Sequence, residues 1–225
     1  MTTELLSLTP VLALAFTDVA TGERVVDGLA VTVAHRGRTL GLAHADGGRG
    51  WSLHELRGPV PDALTVTVRD AFGRFLPVRT VVATADPPPV LITLASAPAR
   101  PAPASHAQVR ATVLDEQTRA PLPGLRLEVT CADVTATGFA DARGDVLVLL
   151  PWPRATPAMA AKPPPDRTFA ATVKVAVPDP APPADAFALD PAAAFANRPA
   201  LPEQELHYGV PLVLHSAGET ALLIA

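Results

Sequence analysis

The sequence predicts an all-β protein built from two tandem antiparallel β-sandwiches, the second of which carries a proline-rich insertion. Three observations predict it. Short runs of alternating apolar and polar residues recur every ~8–12 residues, the spacing typical of sandwich strands. The 225 residues include 26 prolines, which suit turns, strand edges and connections but not helices. Finally, the turn-and-strand pattern of the first half recurs in the second.

The first predicted domain, residues 1–96, contains about seven short strands. Asp- and Gly-containing turns separate many of them, such as His35–Arg38, Asp46–Gly50 and Asp70–Gly73. The predicted strands are Val11–Thr17, Leu29–Ala34, Leu40–Ala45, Trp51–Leu56, Leu64–Arg69, Phe75–Thr84 and Val90–Leu94. Aromatic residues are only 4% of the chain, so the core must consist mainly of aliphatic side chains.

A stiff linker follows at 97–105, where alternating Pro and Ala favour extended polyproline II structure. The second domain is predicted at 106–225. Its first turn repeats Asp18 as Asp115 at an offset of 97, and the next strand repeats Gly28 as Gly124 at an offset of 96. Further matches pair Asp46 with Asp141, Leu64–Val68 with Phe169–Val173, Pro77–Val82 with Pro211–His215, and Val90–Leu94 with Thr220–Ile224.

Two proline-rich insertions, 151–167 and 178–207, distinguish the second domain from the first. We call 178–207 the arm. Within it, Asp190–Asn197 has the signals of a short helix: Asp at the N-cap, Pro at the first position and Asn at the end. Long insertions in compact domains are commonly functional. We therefore predict that apolar side chains of the insertions bind a partner: Phe187, Leu189, Phe195, Leu201 and Trp152.

The second copy resembles the carboxypeptidase regulatory-like, prealbumin-like sandwich family. The resemblance rests on a D-x-x-T turn, a Pro-Leu-x-Gly turn, and a later Asp…Gly turn followed by a strand and Pro. These residues are Asp115, Thr118, Pro121, Leu122, Gly124, Asp141, Gly144 and Pro151; the first copy matches less fully with Asp18, Thr21, Gly22, Gly28, Asp46, Gly50 and Pro59. The resemblance implies an immunoglobulin-like antiparallel seven-strand sandwich. It implies no activity, because such modules serve as accessory, adhesive and assembly parts.

Charge and motif content argue against several functions. A net charge of −4 without a basic block disfavours nucleic-acid binding. Cys131 is the single cysteine, which rules out an intrachain disulfide and a thiolate zinc site. No G-x-S-x-G or H-E-x-x-H motif occurs, and we expect neither enzymatic activity nor a cofactor nor a metal. The N-terminus has no signal-peptide or membrane-span pattern, so we expect a cytoplasmic protein, or one released without a cleaved signal as part of a particle.

Two functional hypotheses remain. The first is a non-catalytic structural or adaptor protein that docks on a protein partner in a larger assembly, for which a phage-tail-like contractile injection particle is one setting. The alternative is a carbohydrate-binding or cell-surface adhesion module. In that case Trp51 and Trp152, predicted at nearly equivalent rim positions, would stack on sugars; otherwise they close the ends of the sandwiches.

Overall fold

The computed structural model of the protein describes residues 12–41, 43–44, 50–53, 61–84, 89–180, 182 and 187–225. Regular structure in these residues is almost entirely β-strand, which confirms the all-β prediction. The strands before the linker are β1 Leu12–Asp18, β2 Arg24–Val25, β3 Leu29–His35, β4 Arg38–Leu40, β5 Ala43–His44, β6 Trp51–Leu53, β7 Ala63–Asp70, β8 Val78–Ala83 and β9 Val90–Leu94. Those after it are β10 His106–Asp115, β11 Arg126–Cys131, β12 Val134–Phe139, β13 Asp145–Pro151, β14 Thr168–Pro178, β15 Phe195–Asn197, β16 Gln204–His207, β17 Leu212–Leu214 and β18 Leu222–Ile224.

Two sheets enclose the core of the first half, giving it β-sandwich character. In one sheet β1 pairs antiparallel with β2 and β6 and parallel with β9, while β5 pairs with β6. In the other, β3 and β7 pair antiparallel, with β4 and β8 outside them. Side chains from both sheets bury one another because alternate residues of each strand face inward. The core includes Leu14, Phe16, Val33, Leu64, Val66 and Leu94.

The second half has corresponding pairings. β10 pairs antiparallel with β13 and parallel with β17 and β18. In the facing sheet β11 pairs antiparallel with β12 and β14, and β14 pairs antiparallel with β15 and β16. Strict alternation of buried and half-buried residues along most of β10 reflects a strand with one face on the core. The core includes Val109, Val113, Leu127, Val129, Val148 and Val173.

The predicted hairpin turn at His35–Arg38 is confirmed. Arg36 and Gly37 have φ values of 47° and 77°, so both central residues are left-handed, as a two-residue loop between twisted strands requires. The predicted Phe75–Thr84 strand is shorter than expected, because β8 begins only at Val78. Two predictions fall partly outside the described residues. These are the turn at Asp46–Gly50, of which only Gly50 is described, and the strand at Trp51–Leu56, which is described only to Leu53.

The linker is bonded to both halves of the molecule. Ala97 donates its backbone N–H to the Arg74 carbonyl (2.9 Å), and Arg110 of β10 donates to the Pro98 carbonyl (2.8 Å). The Arg100 guanidinium also binds the Asp18 carboxylate at the end of β1. These bonds hold the linker in place. The predicted extended linker is only partly correct, because the Ala97 and Pro103 carbonyls accept from the Arg100 (3.0 Å) and His106 (2.9 Å) N–H groups, which makes a turn at each end. No helix in the described part of the chain has the length and apolar character needed to cross a membrane.

Candidate partner-binding site

The arm supplies the strands at one edge of the sheet that contains β11 and β14. β15 and β16 both lie in the arm, and both pair with the outer edge of β14. In the first half, β8 holds the corresponding place beside β7. The predicted equivalence of Pro77–Val82 with Pro211–His215 is therefore wrong, because β17 within that segment pairs with β10 in the other sheet. It also follows that the second half uses the arm in its fold.

The predicted helix at Asp190–Asn197 is also wrong. Ala193 donates its N–H to the Asp190 carbonyl (3.1 Å), and the Asp190 carboxylate accepts from the Ala192 N–H (3.0 Å), which makes a tight turn. The chain then extends into β15, where pairing with β14 satisfies the backbone groups. The same cap-and-proline signal does begin a helix elsewhere. Thr156 caps α1, Pro157–Ala160, in the 151–167 insertion.

Leu189 joins the arm to the first half. Its N–H donates to the Pro77 carbonyl (2.7 Å), and its carbonyl accepts from the Arg79 N–H (2.9 Å), forming one parallel bridge at the edge of β8. The side chain is only 5% exposed and packs with Leu76 and Ala95. This predicted partner-binding residue is therefore a contact between the two halves of its own chain.

Phe187 and Phe195 of the arm line one apolar pocket of about 170 Å³. Its walls include Pro178, Pro180 and Pro182, which the sequence analysis did not single out. The centre of the Phe195 ring lies 4.6 Å from the central carbon of the Arg126 guanidinium. It lies 6.1 Å from the centre of the Phe139 ring. Both phenylalanines are half-buried. The described part of the arm is thus held by contacts within its own chain.

Leu201 and Trp152 lie outside this pocket. Leu201 is half-buried against the core of the second half, and its N–H donates to the Val173 carbonyl (3.0 Å). The Trp152 ring packs 5.9 Å from Phe169 and 4.6 Å from Tyr208, measured between ring centroids. The structure therefore brings together three of the five predicted residues, Phe187, Leu189 and Phe195.

The two tryptophans do not occupy equivalent positions. Trp51 lies opposite Leu14 of β1. When Asp18 is matched with Asp115, Leu14 corresponds to Ala111, and the residue opposite Ala111 is Val146. Val146, and not Trp152, is therefore the counterpart of Trp51. Trp51 is buried in the core, 4.9 Å from the Phe16 ring in an edge-to-face arrangement. Trp152 and Tyr208 instead border a surface depression of about 340 Å³ that also contains His106 and Gln108.

The ionisable side chains of the described residues include Cys131 and Asp18, whose surroundings shift their pKa values. No three His, Cys, Asp or Glu side chains among them are grouped closely enough to hold a metal ion. Cys131 is buried on β11, where burial and then the nearby Asp133 charge raise the pKa of its thiol. Burial alone would raise the pKa of Asp18, but hydrogen bonds from Arg100, Ala20 and Thr21 outweigh it and hold that pKa below its usual value.

Comparison of the sequence with known protein families and with curated proteins finds no match. A solved structure described as "The Bacillus anthracis TIE protein" is similar to this chain with 12% sequence identity and a TM-score of 0.29. The similarity covers 90% of this chain and 32% of that one, so the chain spans about a third of that protein's length. A TM-score this low carries no information on function.

Proposed function

We propose that this chain is a non-catalytic structural or adaptor protein that docks through its arm onto a protein partner in a larger assembly. The observation that carries the proposal is the pocket lined by Phe187, Phe195 and the arm prolines. An apolar cavity of roughly 150 Å³ holds a benzene-sized group, so a pocket of about 170 Å³ suits one large apolar side chain of a partner. Because prolines stiffen its walls, little conformational entropy is lost on binding.

The position of the pocket also suits an adaptor. Leu189, which lines the pocket, is bonded to the edge of β8, while β15 is bonded to β14. A partner bound there would be held in a defined orientation to both halves of the chain. Aromatic side chains at such a position are typical of the residues that dominate interface energetics. A phage-tail-like contractile injection particle is one assembly in which such a part would serve.

We propose further that the two halves are copies of one sandwich related to the carboxypeptidase regulatory-like, prealbumin-like family. The first turns support this. The Asp18 carbonyl accepts from the Gly22 N–H (2.8 Å), and the Asp115 carbonyl accepts from the Arg119 N–H (2.9 Å), with both donor residues left-handed. The parallel pairings β1–β9 and β10–β18 also correspond, with Asp18 opposite Leu94 and Asp115 opposite Ile224.

The adaptor proposal is tested by blocking the pocket. Ala193→Arg places a long charged side chain on the pocket wall, whereas Ala192→Arg places the same side chain on the adjacent exposed residue that does not line it. Partners that co-purify with the full chain from the cells that produce it are identified, purified, and recombined with each variant. We expect Ala193→Arg to abolish reconstituted binding and Ala192→Arg to preserve it. Equal binding by both variants, or a wild-type chain that enters no assembly, would overturn the proposal.

A carbohydrate-binding role is a second candidate, favoured by the aromatic depression beside Trp152 and Tyr208 with His106 and Gln108 on its wall. Polar groups next to aromatic rings suit a sugar, which stacks one face and hydrogen-bonds its hydroxyls. A glycan array probed with wild type and Gln108→Ala tests it. Binding that Gln108→Ala abolishes would favour this role, whereas no glycan bound by the wild type would dismiss it.

A further inference from the structure

A cationic depression lies on the outer face of the second half, beside the arm. Its volume is about 420 Å³, and it lies over β11, β14, the end of β15 and the arm residues that follow. The depression is lined by Arg126, Glu128, Lys174, Val175, Ala176, Asn197, Arg198 and Ala200. Three cations and one carboxylate give it a local charge of +2, on a chain whose net charge is −4.

Strand register explains why this charge is not neutralised. Glu128 lies directly opposite Lys174, and the Lys174 ammonium is 3.1 Å from the Glu128 carboxylate. Arg126 lies opposite Ala176, whose side chain has no acceptor, and Ala176 in turn lies opposite Asn197. Glu128, the acidic residue of the depression, is therefore already paired. Within the described part of the chain, the side chains of Arg126 and Arg198 have neither an ion pair nor a hydrogen bond.

The arm shapes the depression and orients one of these cations. Arg198 donates its N–H to Val175 (2.9 Å) and Leu201 donates to Val173 (3.0 Å). Two arm residues, Pro199 and Ala200, thus bulge outward between bonds that are only two residues apart on β14. The Arg126 guanidinium is held over the Phe195 ring at 4.6 Å. A cation–π contact does not use the guanidinium N–H donors, so these remain available, and a guanidinium can bind a carboxylate through two parallel bonds.

We propose that this depression binds an acidic peptide segment of the protein partner, with Arg126 and Arg198 each receiving an Asp or Glu carboxylate. This inference rests on the proposed adaptor function and names the chemistry of the partner's surface. Charge complementarity selects the occupant: two unpaired guanidinium groups match a pair of carboxylates. A long polyanion such as a nucleic acid fits poorly, because the net charge of −4 repels it beyond this local patch.

The test uses the full chain and a fluorescein-labelled hexaglutamate peptide, with hexalysine as the opposite-charge control. The variants are Arg126→Gln, Arg198→Gln and the double variant, compared with Arg154→Gln, which removes an exposed arginine outside the depression. We expect hexaglutamate to bind the wild type and Arg154→Gln alike, and the double variant at least about tenfold more weakly. Binding should also weaken as salt rises from about 0.05 M to about 0.5 M, because ions screen exposed charges. Circular dichroism confirms that each variant is folded.

Three results would overturn the proposal: no hexaglutamate binding by the wild type, equal binding by the double variant, or displacement of the peptide by inorganic phosphate at equal concentration. The last would identify a phosphate site instead. The purified partner separates this inference from the adaptor function. Loss of partner binding in Ala193→Arg with full retention in the double arginine variant would leave the adaptor function standing and reject the acidic segment.

Discussion

The Arg100 guanidinium donates two hydrogen bonds to the carboxylate of Asp18, one to each oxygen, across 82 residues of sequence. The Asp18 and Arg100 side chains are 5% and 12% exposed. Arg100 also bonds the Ser96 hydroxyl (2.9 Å) and lies 4.9 Å from the Phe75 ring centre. Asp18 thereby has two roles. It shapes the turn after β1, and it anchors the linker to the first half.

Replacing Asp18 tests the second role. Asp18→Asn leaves a buried guanidinium without its anion, and we expect the free energy of unfolding to fall by roughly 1–3 kcal/mol. Asp115→Asn is the matched control. Asp115 accepts the corresponding turn bonds from the Gln117 and Thr118 N–H groups, but no arginine among the described residues binds it. Chemical denaturation of both variants measures the difference. An equal loss in the two would mean that the ion pair adds nothing to the turn.

The same pair predicts an acid dependence of stability. The folded-state pKa of Asp18 is depressed, so its stabilisation is complete above the unfolded-state value of about 3.9 and disappears as the pH falls through the lower folded-state pKa. Between pH of about 5 and about 2, the wild type should lose more stability than Asp18→Asn. Denaturant midpoints measured across this range check it. Parallel curves for the two proteins would contradict the prediction.

Leu206 tests whether the arm belongs to the core. It is fully buried on β16 opposite Phe169, so Leu206→Ala should lower the free energy of unfolding by roughly 2–5 kcal/mol. Glu205→Ala, on the adjacent exposed residue, should change it little. The measurement is the urea midpoint of each variant. If Leu206→Ala left the free energy of unfolding unchanged, β16 would contribute little to stability, and the prediction would be wrong.

Leu189 predicts a local effect at the contact between the halves. Leu189→Ala removes most of the buried side chain that packs on Leu76 and Ala95, so the bridge to β8 should open more often. The Arg79 amide, which donates to the Leu189 carbonyl, should then exchange with solvent faster. The Val66 amide, in the core of the same half, serves as the internal reference and should be unaffected. Acceleration at both amides would indicate global destabilisation instead.

Cys131 should be unreactive in the folded protein. Its side chain is buried on β11, and burial followed by the Asp133 charge raises the pKa of the thiol, so little reactive thiolate forms. A thiol reagent at neutral pH should label native protein over hours and denatured protein within minutes. Fast labelling of native protein that retains its circular dichroism spectrum would show that the strand opens readily.

The sequence by itself determined the strand pattern and the first turns. Alternation along β10 identifies which side chains face the core, since a strand has a period of two residues. Asp followed three residues later by Thr closes the same local turn at Asp18 and at Asp115, because the bonds that shape it join near neighbours. Such features depend on residues close in sequence, so the sequence alone indicates them.

The tertiary structure decided the register of the later strands. The sequence match pairs Leu64–Val68 with Phe169–Val173, but the strand partners make Val66 equivalent to Val173, a shift of two residues. A shift of two leaves every side chain on the same face, so alternation cannot detect it. Only the partner strand, Val33 opposite Val66 and Val129 opposite Val173, selects the register.

Residues distant in sequence also determine the conformation of the arm. Asp190 with Pro191 carries the same local helix signal as Thr156 with Pro157, yet only the second begins a helix. The difference is the open edge of β14, whose unpaired backbone groups draw Phe195–Asn197 into a strand. Likewise, no pattern within the arm specifies that Leu189 packs against Leu76, more than 100 residues earlier. Local propensities amount to less than about 1 kcal/mol per residue, so the pairing and burial offered by a distant strand override them.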